Sequence, residues 1–120
     1  MKRVAIALTA VALLAACGGG SGASQPSGSI KVTMNEYKFD PNTITATHGK
    51  VVFFLVNAGT VSHDLIVKDS SGKTISSSEL VSAGDSIVFT VSSIDSGSYT
   101  FTCDQPGHEA SGMKGTLTIT

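Results

Sequence analysis

Beyond residue 29 the chain alternates apolar and polar positions, the two-residue period of strands with one buried face. Ile30, Val32 and Met34 alternate with Lys31, Thr33 and Asn35. This predicts a first strand and puts Met34 in the core rather than in a binding site. After a turn at Asp40-Pro41-Asn42, Thr43 to Ala46 reads as a short strand, and Val51 to Val56 is an apolar run suited to a central strand of a sandwich. Asn57-Ala58-Gly59-Thr60 ends that run as a turn. Strand character resumes at Leu65 to Val67, breaks at Asp69-Ser70-Ser71-Gly72 and returns at Ser86 to Val91, where Ile87, Phe89 and Val91 share a face. Ser77 to Ala83 carries the weakest pattern. Tyr99, Phe101 and Cys103 share parity, as do Gly115, Leu117 and Ile119, so Cys103 is expected to leave its strand pointing inward. About seven to eight short strands separated by turns predict an all-β fold, a Greek-key β-sandwich over residues 30–120. No internal repeat is present.

Composition agrees with this outline. Thirteen Gly, many Ser and Thr, no Trp and recurring β-branched residues favour strands over helices. A chain of 120 residues, 14% charged and 41% hydrophobic, makes one small domain. Its formal net charge of −1 lacks the basic footprint of a nucleic-acid binder.

The first residues follow a different rule. Lys2 and Arg3 form a positive start, and Val4 to Leu14 is an apolar run of signal-peptide length, too short to span a bilayer comfortably. Residues 1–16 are therefore expected to be an export signal. Its end, Leu14-Ala15-Ala16-Cys17, resembles a bacterial lipobox, which implies cleavage before Cys17 and a diacylglyceryl group on its sulfur. Residues 17–29 would then be the lipidated Cys and a Gly/Ser-rich linker, whose twelve residues after Cys17 have an r.m.s. reach of about 20 Å. Removing residues 1–16 takes away two of the eight basic residues and none of the nine acidic ones, leaving six against nine and a net charge of −3. With Cys17 blocked by lipid, Cys103 is the one free thiol and no internal disulfide can form.

A lone Cys in an exported chain asks for a chemical reason. His63, Cys103, His108 and Met113 together offer a thiolate, two imidazoles and a thioether, a soft set acceptable to both oxidation states of copper. Taken singly, His63 would more often be a satisfied core or surface histidine and Cys103 an inert buried thiol. Together they can meet: His63 opens one strand, Cys103 closes another, and His108 and Met113 lie in the loop leading to the last strand. Pro106 and Gly107 can turn that loop and bring the His108 ring back toward the metal. His48, at a turn and without a partner at ligand spacing, is read as solvent-facing. Asp104 and Glu109 lie inside the loop and are read as its solvated rim.

Asn57-Ala58-Gly59 before Val61-Ser62-His63, then Tyr99-Thr100-Phe101-Thr102-Cys103, Pro106-Gly107-His108 and Gly112-Met113-Lys114-Gly115, resemble the cupredoxins from about Ile30 to Thr120. Four residues separate Cys103 from His108, and four separate His108 from Met113; this spacing resembles auracyanins and rusticyanins more than plastocyanin or azurin. The resemblance implies one type 1 copper per chain, with His63, Cys103 and His108 equatorial, Met113 axial, and His108 near the surface where an electron enters and leaves. Two positions depart from the plastocyanin pattern: Asp64 stands where Asn is common after the first ligand His, and Thr102 stands where plastocyanin has an aromatic.

The function expected from these readings is a one-electron carrier, not an enzyme, exported and lipid-anchored to a bacterial membrane, facing the periplasm or cell exterior. It is expected to be a monomer with a redox protein as donor and another as acceptor, a membrane contact through the N-terminal lipid, and no nucleic-acid partner. Three histidines in all cannot furnish the further coppers of a multicopper oxidase or nitrite reductase, and a binuclear copper domain needs a second Cys in the loop. The alternative is an extracytoplasmic copper-holding or copper-delivery protein with the same fold. Such proteins favour several exposed Met or His, whereas here only Met113 lies in the loop. A metal-free adhesion sandwich would leave the four ligands unexplained.

Overall fold

The structure, a computed structural model, describes residues 22–120. The expected signal peptide, Cys17 and the first part of the linker lie outside the described residues.

Nine strands and no helix make up the described residues: β1 (Ile30–Asn35), β2 (Lys38–Asp40), β3 (Thr43–Ala46), β4 (Gly49–Asn57), β5 (Ile66–Lys68), β6 (Thr74–Ser77), β7 (Ser86–Ile94), β8 (Gly97–Thr102) and β9 (Lys114–Ile119). One sheet runs β2-β1-β4-β7 and the other β3-β9-β8-β5-β6. Both are mixed, because β1 pairs with β4, and β3 with β9, in parallel. The fold is an all-β sandwich, as the alternation predicts.

The inward positions of the two sheets make one core. Val32 and Met34 of β1, Phe53 and Leu55 of β4, Phe89 and Val91 of β7, Phe101 of β8 and Leu117 of β9 are buried in it. Phe53 stacks on Phe89 at 5.9 Å within one sheet, and Phe39 meets Phe101 edge-on at 5.0 Å between the sheets. Each fully buried aromatic or aliphatic side chain contributes on the order of 1.5–3 kcal/mol relative to exposure. Near the end of β7 the pairing passes from Val51↔Val91 to Gly49↔Ile94, one extra residue on β7. This bulge reverses the inward parity and lets Ile94 join the core with Val91.

Two strands carry little sequence signal. β2 has a single buried side chain, Phe39. β6 has none and runs along a sheet edge beside β5, so nothing in its composition marks an inner face. Part of the expected linker meets the sandwich: Gly22 forms a bridge with Ser86, Ala23 N–H donates to the Ser86 carbonyl at 3.2 Å, and Ser86 Oγ donates to the Ala23 carbonyl at 3.2 Å.

Candidate metal centre

The expected ligands come from two strand junctions, His63 from the segment between β4 and β5, and Cys103, His108 and Met113 from the loop between β8 and β9. β4 ends at Asn57, whose buried side chain donates to the carbonyls of Val61 and Val81, 2.8 Å each, and accepts from Gly59 N–H at 2.9 Å. His63 then pairs with Val81 through two backbone bonds, 3.1 and 2.8 Å. Asn57 thereby fixes both the chain entering His63 and the segment beside it.

Cys103 directly follows β8 and is 1% exposed, on the inward parity expected. Pro106 and Gly107 form the turn that returns the loop: His108 N–H donates to the Gln105 carbonyl at 3.0 Å, and Gly107 sits at φ 80°. Pro followed by a left-handed Gly is the sequence of a type II turn. Met113 N–H donates to the His108 carbonyl at 3.0 Å and Cys103 N–H to the Met113 carbonyl at 3.2 Å, which closes the loop at its base.

The outcome is a compact cluster. Cys103 Sγ stands 3.4 Å from His108 Nδ1 and 3.9 Å from His63 Nδ1, and the two Nδ1 atoms are 3.2 Å apart. All three donor atoms lie within 4.8 Å of one another. Met113, fully buried, belongs to the same core cluster as Cys103. Both imidazoles thus offer the same nitrogen to the thiol.

Burial favours the neutral forms of two of these donors. It pushes the His63 pKa below the usual histidine range, with a smaller contribution from His108 and an opposing one from Glu36. Burial also raises the Cys103 thiol, against the backbone N–H groups of Asp64 and Gln105, which favour the thiolate. A thiol that is protonated in the metal-free protein must release its proton to bind as thiolate. Copper affinity is therefore expected to rise by about tenfold per pH unit between about pH 7 and 8, below the raised thiol pKa. Competition titrations at several pH values measure this slope; a flat profile would exclude thiolate binding.

The other singled-out residues fall elsewhere. His48 is exposed, with Nδ1 2.9 Å from the Thr120 carbonyl. Glu109 pairs with Lys68 at 3.5 Å on the surface, and Asp104 is exposed. Asp64, 8% exposed, accepts the Asp104 backbone N–H on Oδ1 at 2.7 Å. Thr102 is buried on the face opposite Cys103, in a groove with Asn42, Thr100, Glu109, Lys114 and Thr116.

Two residues beside the cluster carry no signal in the sequence. Glu36 places Oε1 3.5 Å from His63 Nε2, and the Tyr37 ring meets the His108 ring edge-on at 5.3 Å. Backbone donors, Thr60 N–H foremost, hold the Glu36 carboxyl below its usual pKa. Both residues sit in a turn more than twenty positions from either histidine.

The sequence from residue 4 to residue 119 matches the cupredoxin-like domain. The chain belongs to the cupredoxin-like family. Among solved structures, this cupredoxin-like chain is similar to the dithionite-reduced auracyanin of Roseiflexus castenholzii, with a TM-score of 0.69 and 21% identity over 80% of this chain and 99% of that one. Auracyanin A of Chloroflexus aurantiacus, a "blue" copper protein, gives a TM-score of 0.62 and 20% identity over 75% and 99%. A purple cupredoxin of Nitrosopumilus maritimus gives 0.57 and 18% over 77% and 100%. At these identities the likeness is one of fold. No curated protein matches the sequence. The soft donor set and its close grouping fit one type 1 copper per chain.

Proposed function

We propose that this cupredoxin-like chain is a membrane-tethered one-electron carrier, in which His63, Cys103, His108 and Met113 would hold one copper. The observation that carries the reading is the convergence of His63 Nδ1, His108 Nδ1 and Cys103 Sγ within 4.8 Å at the end of a packed sandwich. Bound copper supplies a one-electron couple. The protein's part is to hold the donors still: Asn57 fixes the approach to His63, the Pro106-Gly107 turn fixes His108, and the Met113 backbone locks the loop to Cys103.

An exchange surface is also supported. Tyr37, Val61 and Leu80 are three of the five exposed large hydrophobics among the described residues. Tyr37 contacts His108, Val61 lies two residues before His63, and Leu80 precedes the Val81 that pairs with His63. With half-buried His108, the exposed Tyr37 ring offers an apolar edge at which a redox donor and acceptor dock. The absence of a Met-rich or His-rich exposed cluster among the described residues favours electron transfer over copper delivery.

The test is direct. The protein loaded with Cu(II) is expected to show an intense blue thiolate-to-copper band that dithionite removes and reoxidation restores, at one copper per chain. In the source cell, the tether at Cys17 predicts a membrane-bound protein whose Cys17→Ser variant is released to the soluble fraction. A wild-type protein wholly soluble and without lipid mass on its N-terminus would end the tether reading.

A further inference from the structure

The two residues that join β1 to β2 touch both candidate histidine ligands. Glu36 and Tyr37 form the turn, flanked by the pair Asn35↔Lys38. Tyr37 takes φ 63°, the one positive-φ residue other than glycine among the described residues. That position of a tight turn favours Gly or Asn, and an aromatic held there stores backbone strain. Its ring, although 49% exposed, meets the His108 ring at 5.3 Å with the planes 89° apart.

Its neighbour reaches the other imidazole. Glu36 Oε1 is anchored by Thr60 N–H at 2.6 Å and Val61 N–H at 3.3 Å, and faces His63 Nε2 at 3.5 Å. That nitrogen is buried and makes no hydrogen bond within ordinary limits, so the carboxylate is the acceptor nearest to hand. Gly59 leaves room for the approach, since a Cβ there would collide with the Glu36 carboxylate and come within 3.1 Å of His63 Nε2. The three residues fit as a set.

We propose that the Glu36-Tyr37 turn is a clamp that positions both imidazoles, Glu36 acting on His63 and Tyr37 on His108. This rests on the reading of those histidines as copper ligands. A metal bound at Nδ1 needs the proton on Nε2, and a fixed carboxylate beside Nε2 selects that tautomer and the ring orientation with it. The Tyr37 ring limits rotation of His108 on its loop. The negative charge of Glu36, one imidazole away from the donors, also favours Cu(II) over Cu(I).

Three substitutions in the full chain test the clamp. Tyr37→Gly removes the ring while relieving the backbone, so the fold is kept; Tyr37→Phe keeps the ring; Glu36→Gln removes the charge and retains an acceptor for Thr60 and Val61. In metal-free protein, ring-nitrogen NMR is expected to show wild-type His63 protonated on Nε2, a mixture of tautomers in Glu36→Gln, and a mobile His108 ring in Tyr37→Gly that Tyr37→Phe restores. With copper, Tyr37→Gly and Glu36→Gln are each expected to lose about tenfold in Cu(II) affinity. If the Glu36→Gln loss is confined to Cu(II), the reduction potential rises by about 59 mV. Wild-type ring spectra and affinities in both variants would overturn the clamp. Failure of the wild-type protein to bind copper would instead remove the ligand reading, and the metal-free spectra would then decide the clamp alone.

Discussion

Cys103→Ser is expected to give a colourless protein that keeps its fold and loses more than about a hundredfold in copper affinity, a larger loss than removing a supporting residue causes. The blue colour needs a sulfur-to-copper charge transfer, and Cys103 supplies the one thiol among the described residues. Serine nearly matches its size but offers a hard oxygen that stays protonated near neutral pH. The fold survives because the new hydroxyl, placed where Sγ lies 3.4 and 3.9 Å from the two Nδ1 atoms, has acceptors within reach. Copper titration followed by visible and EPR spectra measures the loss. A blue band persisting in the variant would remove Cys103 from the site.

The core of this design is written locally, and so it is legible. Strict alternation marks β1 and β9, because each has one face on the shared core and one in solvent. The same parity carries through β8 to Cys103, which is why the order of residues alone points the thiol inward. His63 and the loop from Cys103 to Met113 are legible through chemistry, since four soft donors need a common purpose.

What escapes is set by contacts distant in sequence. β6 exists through backbone pairing with β5 and has no buried side chain to give a period. β2 is defined by its register against β1, with Phe39 alone inside. Glu36 and Tyr37 look like any polar turn in the sequence, yet the antiparallel return of β2 sets that turn beside loops that arrive later in the chain. Tyr37 even runs against local preference, because its backbone conformation suits glycine. Such a conflict between local and overall structure is most informative beside a functional site. Asp64 is an intermediate case: its adjacency to His63 is plain in the sequence, whereas its bond to Asp104 depends on how β5 and β8 meet.

That bond sets the terms of the last prediction. Asp64 follows His63, Asp104 follows Cys103, and the 2.7 Å bond from Asp104 N–H to Asp64 Oδ1 laces together the two segments that deliver these donors. The carboxylate therefore has two effects, one mechanical and one electrostatic, and two substitutions separate them. Asp64→Asn keeps a carbonyl oxygen for the Asp104 N–H and removes the charge. A negative charge about 7 Å from the metal, at an effective dielectric of about 20, favours Cu(II) by about 2 kcal/mol, on the order of 100 mV for one electron. The Asn variant is thus expected to stay blue with a potential higher by up to that amount. Solvent screening shrinks the shift only in part, because Asp64 is 8% exposed. Asp64→Ala removes the charge and also the acceptor of the Asp104 N–H, so it should match the Asn variant in the sign of the potential change and in addition lose about 0.5–1.5 kcal/mol of stability, the net worth of the bond at an exposed donor. Voltammetry and denaturant unfolding of the pair measure the two effects independently. An unchanged or lowered potential in Asp64→Asn would exclude the charge effect, and an Asp64→Ala protein as stable as wild type would exclude the lacing. With both effects present, the residue that stiffens the site also sets its potential, since the oxygen that holds the loop belongs to the charged group nearest in sequence to His63.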